Sequence, residues 1–256
     1  MFDMKQPTTL RPIYRRVRRA ILSAVGRDIR FPIQANVPAE RHGSEYGGWW
    51  ICPLGLGAGS VVYSVGIGTD ITFDLSLIET HGVTVHAFDP TPGSIAYLKA
   101  RQLPNTYKWH GFGVASHDGQ ATFFPPANPA HISHTLLHRA ATSDRTIQVE
   151  VRRLSTIVQD LGHKRIDVLK MDIEGAEYDV LEEILQNGLA VQQILVEFHH
   201  RFPEVDVDRT RRAVKDLNAA GYRIFSASEC GDEYGFVLCS RESEIMREQM
   251  NLKRHR

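Results

Sequence analysis

The sequence predicts a doubly wound α/β fold: a mainly parallel seven-stranded sheet with helices on both faces, ending in an antiparallel hairpin. Three observations carry this prediction. Apolar strand-like runs alternate with helical stretches along most of the chain, as parallel strands joined by crossover helices require. A glycine turn closes the first of these runs, Val61-Val62-Tyr63-Ser64-Val65-Gly66-Ile67-Gly68-Thr69-Asp70, and an acid closes the next, Val83-Thr84-Val85-His86-Ala87-Phe88-Asp89-Pro90. The last two runs, Tyr222 to Ser226 and Tyr234 to Cys239, are separated only by a polar turn around Gly231-Asp232, so they pair as antiparallel neighbours.

Taken in order, residues 1–46 carry no strand pattern. Ile13, Val17, Ile21 and Val25 recur at near-helical spacing, with Arg11, Arg15, Arg16, Arg18 and Arg19 on the other faces, which predicts a short basic amphipathic helix. That helix either packs its stripe on the domain or makes weak peripheral contact with a membrane surface. Gly47-Gly48-Trp49-Trp50 and Gly55-Leu56-Gly57-Ala58-Gly59 are expected to be loops; the second follows no strand and lacks the Lys-Ser/Thr of a phosphate-binding loop. After Asp89 come a helix near 92–103, a strand near 107–115, and a Gly119 turn into a strand at 121–124. A polar, histidine-bearing insertion at 125–145 follows, then a strand at 146–152 that can pair with 121–124. The remaining elements are a helix at 155–161, the strongly apolar strand 166–171, a helix at 176–187, a strand at 193–198, a helix at 208–220 and the closing hairpin. The expected organisation is a basic extension at 1–46, one domain at 47–241 and a charged tail at 242–256.

The chain has 256 residues, 42% of them apolar, enough for one sizeable core. Thirty Lys and Arg balance thirty Asp and Glu, so no global field draws it to nucleic acid or anionic membranes. Cys52, Cys230 and Cys239 are odd in number, widely spaced and in no C-x-x-C pair, which argues for a reducing compartment, hence the cytoplasm, and against a disulfide framework or zinc site. No run of about 18 apolar residues exists, so no transmembrane segment is expected. Oligomeric state leaves no mark on the sequence.

In an open α/β sheet, ligands bind beyond the carboxyl ends of the strands. Gly66 and Gly68 let the backbone turn tightly there and approach a ligand. Asp89, 23 residues past Gly66, offers acceptor oxygens to the vicinal hydroxyls of a ribose. The same devices serve nicotinamide dinucleotides and S-adenosyl-L-methionine (SAM). Ile71 stands where G-x-G-x-x-G needs its third glycine, which disfavours a pyrophosphate ligand. A parallel sheet closed by a final hairpin is likewise the SAM-dependent methyltransferase variation on this fold. The other tips to inspect are Ala115-Ser116, Asp172 to Glu174, and Glu197 to His200. Acids at 174 and 177 also suit a helix start, where they satisfy free N–H groups. Asp172 ends a buried strand at the cofactor edge, where a carboxylate takes a proton or faces a cationic cofactor. Glu197 and His199 fall on one side of their strand and form a base with an orienting partner. Asp172, Glu197 and His199 suit a divalent ion chemically, but ordinary strand ends share that spacing and no metal is expected. His131, His134 and His138 read as solvated loop residues, and Trp49 and Trp50 as core or lid aromatics.

With these residues in hand, the chain resembles the FkbM family of SAM-dependent methyltransferases from about Tyr63 to Val237. The most specific element is Asp167-Val168-Leu169-Lys170-Met171-Asp172-Ile173-Glu174-Gly175-Ala176-Glu177-Tyr178, which is similar to the family's lysine, aspartate, glutamate, glycine, alanine, glutamate signature. Val85 to Pro90 and Leu195 to His199 are similar to two further motifs. The first motif departs: the family usually has aspartate at Ser64, asparagine at Gly68 and glycine at Asp70. Asp70 is positioned to take over the lost acid by reaching back from the turn. The resemblance implies a Rossmann-like methyltransferase fold and O-methylation of a small molecule, sugar or glycan. On this reading Gly66, Gly68, Asp70, Asp89, Ser116 and Asp172 hold SAM, while His199, Asp172, Glu197 and Glu174 form the catalytic group, with His199 the first choice of base. The rivals are a non-catalytic binding module on the same fold and a nicotinamide-dependent oxidoreductase.

Overall fold

The computed structural model describes Gly26, residues 28–125, Thr135 and residues 145–239. The expected N-terminal helix, His131, His134 and His138, and the tail at 242–256 lie outside the described residues. In chain order the elements are β1 (Glu40–His42), β2 (Trp49–Ile51), β3 (Val61–Val65), α1 (Thr72–His81), β4 (Thr84–Phe88), α2 (Pro92–Lys99), β5 (Tyr107–His110), β6 (Gly113–Val114), β7 (Gly119–Phe123) and β8 (Ile147–Arg152). They continue with α3 (Leu154–Asp160), β9 (Ile166–Met171), α4 (Glu177–Gln186), β10 (Val191–Glu197), α5 (Val207–Ala219), β11 (Tyr222–Ala227) and β12 (Glu233–Leu238).

Strands buried on both faces need near-continuous apolar runs. β9, buried at all six positions, is the clearest case and lies mid-sheet. The seven strands run in the order β11-β12-β10-β9-β3-β4-β5. β12 is antiparallel to both neighbours, and the other pairs are parallel, as expected. Alternation along each strand divides the core between the two faces. Tyr63, Leu169, Ile194 and Val196 pack with α3, α4 and α5 through Ile157, Ile184 and Leu217. Val62, Val168 and Leu195 pack on the other face with Phe73 and Leu77 of α1 and Leu98 of α2. Two buried polar residues pin β9 to β3: Asp167 accepts the Val61 N–H at 2.8 Å, and Lys170 Nζ donates to Val65 O at 3.3 Å and Gly66 O at 2.6 Å.

Three features differ from expectation. Trp49–Ile51 is a strand paired with Glu40–His42, not a loop. Strands of three residues are too short for periodicity to reveal. The boundary expected at 47 therefore falls inside a hairpin, and residues before it pack on the domain: Gln34 and Ala35 donate to Ile224 O, and Phe31 packs edge-on against Tyr234. The strand expected at 107–115 breaks at Gly111-Phe112, because Gly113–Val114 leaves the main sheet to pair with β8. The expected pairing of the 121–124 and 146–152 strands is present, with Ala121 opposite Val149, in a separate three-stranded sheet. No helix among the described residues is long and apolar enough to cross a membrane.

A buried side chain of β10 fastens the β1–β2 hairpin to the sheet. Gln193, 1% exposed on β10, accepts the Cys52 N–H through Oε1 at 2.8 Å and donates Nε2 to the Cys52 carbonyl at 2.7 Å. Gln193→Leu keeps the volume and leaves both backbone groups buried without partners, which predicts a loss of about 2–4 kcal/mol. Urea denaturation would read this as a lower midpoint at unchanged slope; a midpoint equal to wild type would show that the clamp does not hold the hairpin.

Candidate active site

The sheet register levels the strand tips. Val65 lies opposite Phe88 and Met171, and Met171 opposite Val196. Gly66, Asp89, Asp172 and Glu197 therefore leave the sheet side by side, and Glu233 of β12 stands opposite Glu197. Together they line a cavity of about 300 Å³, walled on one side by Tyr46, Gly47 and Trp49 from the β1–β2 hairpin.

Gly66 has φ +72°, and a Cβ built there would lie 1.8 Å from the Asp172 carbonyl oxygen. The close approach that demands glycine is thus to the neighbouring strand tip rather than to a ligand. Asp89, 7% exposed, accepts Gly68 N–H on Oδ2 at 3.0 Å, and Thr91 N–H and Oγ1 on Oδ1 at 2.9 and 2.7 Å. A carboxylate has about four acceptor positions. Asp89 keeps roughly one for a ligand hydroxyl, not the pair anticipated from sequence.

Asp70 does not reach back to the place of the lost acid. Its oxygens accept from Ser44 Oγ at 2.6 Å and from Thr72 N and Oγ1 at 2.9 and 2.6 Å, tying the first residue of α1 to the hairpin connection. Burial works to raise its pKa, but these donors and Lys170 hold it below the usual carboxylate range. The acid beside Ser64 is Asp74, in the first turn of α1, which takes a hydrogen bond from Tyr107 Oη at 3.2 Å and lines the cavity. Ser116 does not reach this cavity. The departure of β6 from the main sheet carries it to a separate shallow depression with His117, Thr122 and Asp179, and Gly113 and Val114 take its place.

Asp172, Glu174, Glu197 and His199 do come together. His199, 8% exposed, directs Nδ1 at Glu177 Oε1 at 3.3 Å and Nε2 toward Asp172 Oδ1 and Glu174 Oε2, each at 3.7 Å. Burial lowers an imidazole pKa, but Glu177 and then Asp172 and Glu174 outweigh it and push His199 up to about 9. These carboxylates favour the protonated imidazole, which weighs against the free-base role expected from sequence. Burial, then Asp172, push Glu197 up to about 8; burial, then Asp232 and Asp172, push Glu233 up to about 7.

Glu177 is the residue that sequence reasoning undervalued. It is 0% exposed and accepts N–H groups from Gly175 at 2.8 Å and His199 at 2.9 Å, besides facing the imidazole. The signal was its spacing: Glu177, Val180, Leu181 and Ile184 form one buried stripe of α4, and a carboxylate on an apolar stripe needs partners. Lys170, Asp74 and Glu233 were also passed over, because their positions at the cavity follow from tertiary placement rather than local pattern.

Burial, opposed by Ser64, Lys170 and Tyr107, pushes Asp74 up to about 6. Because the folded state holds this proton more tightly than the unfolded chain, the group adds nothing below about pH 4. It destabilises progressively as pH rises through 6, and fully above it. Asp74→Asn is therefore expected to stabilise the protein at pH 8 by on the order of 2–3 kcal/mol, a gain that vanishes toward pH 4. Thermal denaturation across this range checks it; an equal effect at both ends would contradict the assignment.

Residues 63–224 match the family model for the methyltransferase FkbM domain. The chain is 29% identical over 175 residues to human "Probable methyltransferase-like protein 24", covering 64% of this chain and 41% of that protein. It is 25% identical over 174 residues to the 31-O-demethyl-FK506 methyltransferase FkbM of Streptomyces tacrolimicus, covering 56% of this chain and 67% of that enzyme. Among solved structures, methyltransferase FkbM from Methylobacillus flagellatus KT aligns with a TM-score of 0.45 at 12% identity, over 72% of this chain and 44% of that one. The chain thus spans about two fifths of the human relative's length. With the domain match covering well over half of its residues, the chain belongs to the FkbM methyltransferase family.

Proposed function

We propose that this protein is a SAM-dependent O-methyltransferase of the cytoplasm, acting on a hydroxyl of a small molecule, sugar or glycan. The observation that carries this reading is the charge of the cavity. Among the described residues, its lining holds seven carboxyl groups, Asp70, Asp74, Asp89, Asp172, Glu174, Glu197 and Glu233, against one cation, Lys170, whose ammonium already donates to two backbone carbonyls. Burial holds Asp74, Glu197 and Glu233 toward their protonated forms, yet the wall stays acidic. Such a wall repels the pyrophosphate of a dinucleotide and suits a ligand carrying a sulfonium and an ammonium group. The name 31-O-demethyl-FK506 methyltransferase places methylation on oxygen in one relative, which supports the same choice here. Free Cys52, Cys230 and Cys239 fit a reducing compartment.

When bound, SAM would supply an electrophilic methyl group for an acceptor oxygen that gives up its proton. The chain's task is to hold the two partners in line and keep water out. Asp89 would hold one ribose hydroxyl, and the Gly66 to Asp70 turn would face the methionine end. Trp49, buried and 5.8 Å from Lys170 Nζ, walls the cavity on the hairpin side. Glu197, at the tip beside Asp172, takes the hydroxyl proton in its ionised form, which a pKa of about 8 favours only above that pH, while His199 stands against Asp172 and Glu174.

Calorimetry is expected to detect S-adenosylhomocysteine binding in the micromolar range with no heat from NADH; absence of binding at millimolar ligand would favour a non-catalytic module. Incubating an extract with the protein and methyl-labelled SAM would then identify the acceptor by mass spectrometry. Glu197→Gln should lower kcat by about 10²–10⁴ and leave S-adenosylhomocysteine affinity within a few-fold. A kcat within twofold of wild type would remove Glu197 from the proton-accepting role.

A further inference from the structure

Two groups of imidazole and carboxylate donors converge among the described residues: Glu40, His42 and His81 at the hairpin, and Asp172, Glu174 and His199 at the cavity. In the first, Glu40 Oε1 lies 3.2 Å from His42 Nε2 and 2.8 Å from His81 Nε2. Both are ion-pair lengths closed around one Glu40 carboxylate oxygen, so no ion is needed to explain them.

The second group has different spacing. His199 Nε2 stands 3.7 Å from both Asp172 Oδ1 and Glu174 Oε2, too far for a hydrogen bond. Donors about 2.1–2.3 Å from a common ion lie roughly 3–4.5 Å apart for bond angles between 90° and 180°. All three donor atoms fall within 4.8 Å of one another.

Two independent features point the same way. His199, 8% exposed, makes no hydrogen bond through Nε2 among the described residues, while its Nδ1 faces the fully buried Glu177. A carboxylate behind the other ring nitrogen is the outer-sphere arrangement that orients a metal-binding histidine. Glu174, a non-glycine residue, sits at φ +53°, in the left-handed region. Such backbone strain persists where the surroundings impose it, and it concentrates at functional sites.

We propose that Asp172, Glu174 and His199 together bind one divalent metal ion of the Mn²⁺ type, which displaces the proton from His199 Nε2 to solvent and accepts both carboxylate and imidazole donors. Three protein ligands leave coordination positions on the cavity side, where Asp172 and Glu174 are exposed to the lumen. An acceptor presenting two neighbouring oxygens, a vicinal diol or a hydroxy-carbonyl, fits those positions and gains a fixed orientation toward the methyl donor. This acceptor class rests on the methyltransferase reading; the ion site itself does not.

The test uses the full chain after EDTA treatment and dialysis, titrated with Mn²⁺ and followed by loss of the free-ion EPR signal. One equivalent should bind with Kd below about 100 µM, and pulsed EPR of the bound ion should show coupling to an imidazole ¹⁴N in the unmodified protein. Glu174→Gln should weaken binding at least tenfold, and Glu40→Gln should leave it unchanged. The proposal is overturned by no Mn²⁺ binding up to 1 mM, by absent nitrogen coupling, or by loss of binding in Glu40→Gln instead. S-adenosylhomocysteine calorimetry in EDTA separates the two readings: nucleoside binding without Mn²⁺ binding removes only the metal, whereas Mn²⁺ binding without nucleoside binding keeps the ion and removes the cofactor.

Discussion

The arrangement at the strand tips depends on one buried carboxylate. Glu177 has no exposed surface, and removing a carboxylate from water is unfavourable by several kcal/mol unless it is fully partnered. Here the partners are two backbone N–H groups and an imidazolium, drawn from the β9–α4 turn and the end of β10. The turn can adopt its shape because Glu177 satisfies the Gly175 amide, and His199 is placed because the same oxygen holds both its backbone and its ring. Two neighbouring strand ends are thereby locked into one constellation.

Around that lock, the sheet register does the coarse positioning and local strain the fine. Pairing Val65 with Phe88 and Met171, and Met171 with Val196, brings the four tips level, so residues more than a hundred positions apart share a cavity. Gly66 then lets β3 turn against the Asp172 carbonyl where no other residue fits. The left-handed Glu174 and the uncompensated Asp74 both lie on the cavity wall. The proposed site for a positively charged ligand is lined by carboxyl groups that the fold holds in place, as electrostatic preorganisation requires.

The legible part of this protein is what depends on short-range pattern. Parallel strands buried on both faces must be apolar throughout, so β3, β4, β9 and β10 announced themselves, and the short Gly231-Asp232 turn dictated the closing hairpin. Gly66, Asp89, Asp172 and Glu197 followed because they end those strands. What stayed hidden depends on tertiary placement. The Glu40–His42 and Trp49–Ile51 strands are too short to show a period, and their attachment through Gln193 spans 141 residues. Ser116 was misplaced because nothing local marks the chain's departure into a second sheet at Gly113. Glu177 was visible as an acid on an apolar stripe, yet a helix-start role explained it adequately until His199 was seen beside it.

The central claim is that the cavity at these tips holds a sulfonium nucleoside, with Asp89 on its sugar and the Asp172–Glu197 wall at its reactive end. A crystal structure with S-adenosylhomocysteine tests it most directly. The account predicts a ribose hydroxyl within hydrogen-bonding distance of Asp89 and the sulfur facing the opening between Asp172 and Glu197. A nucleoside bound elsewhere, or a cavity closed by Trp49 with the ligand excluded, would contradict it.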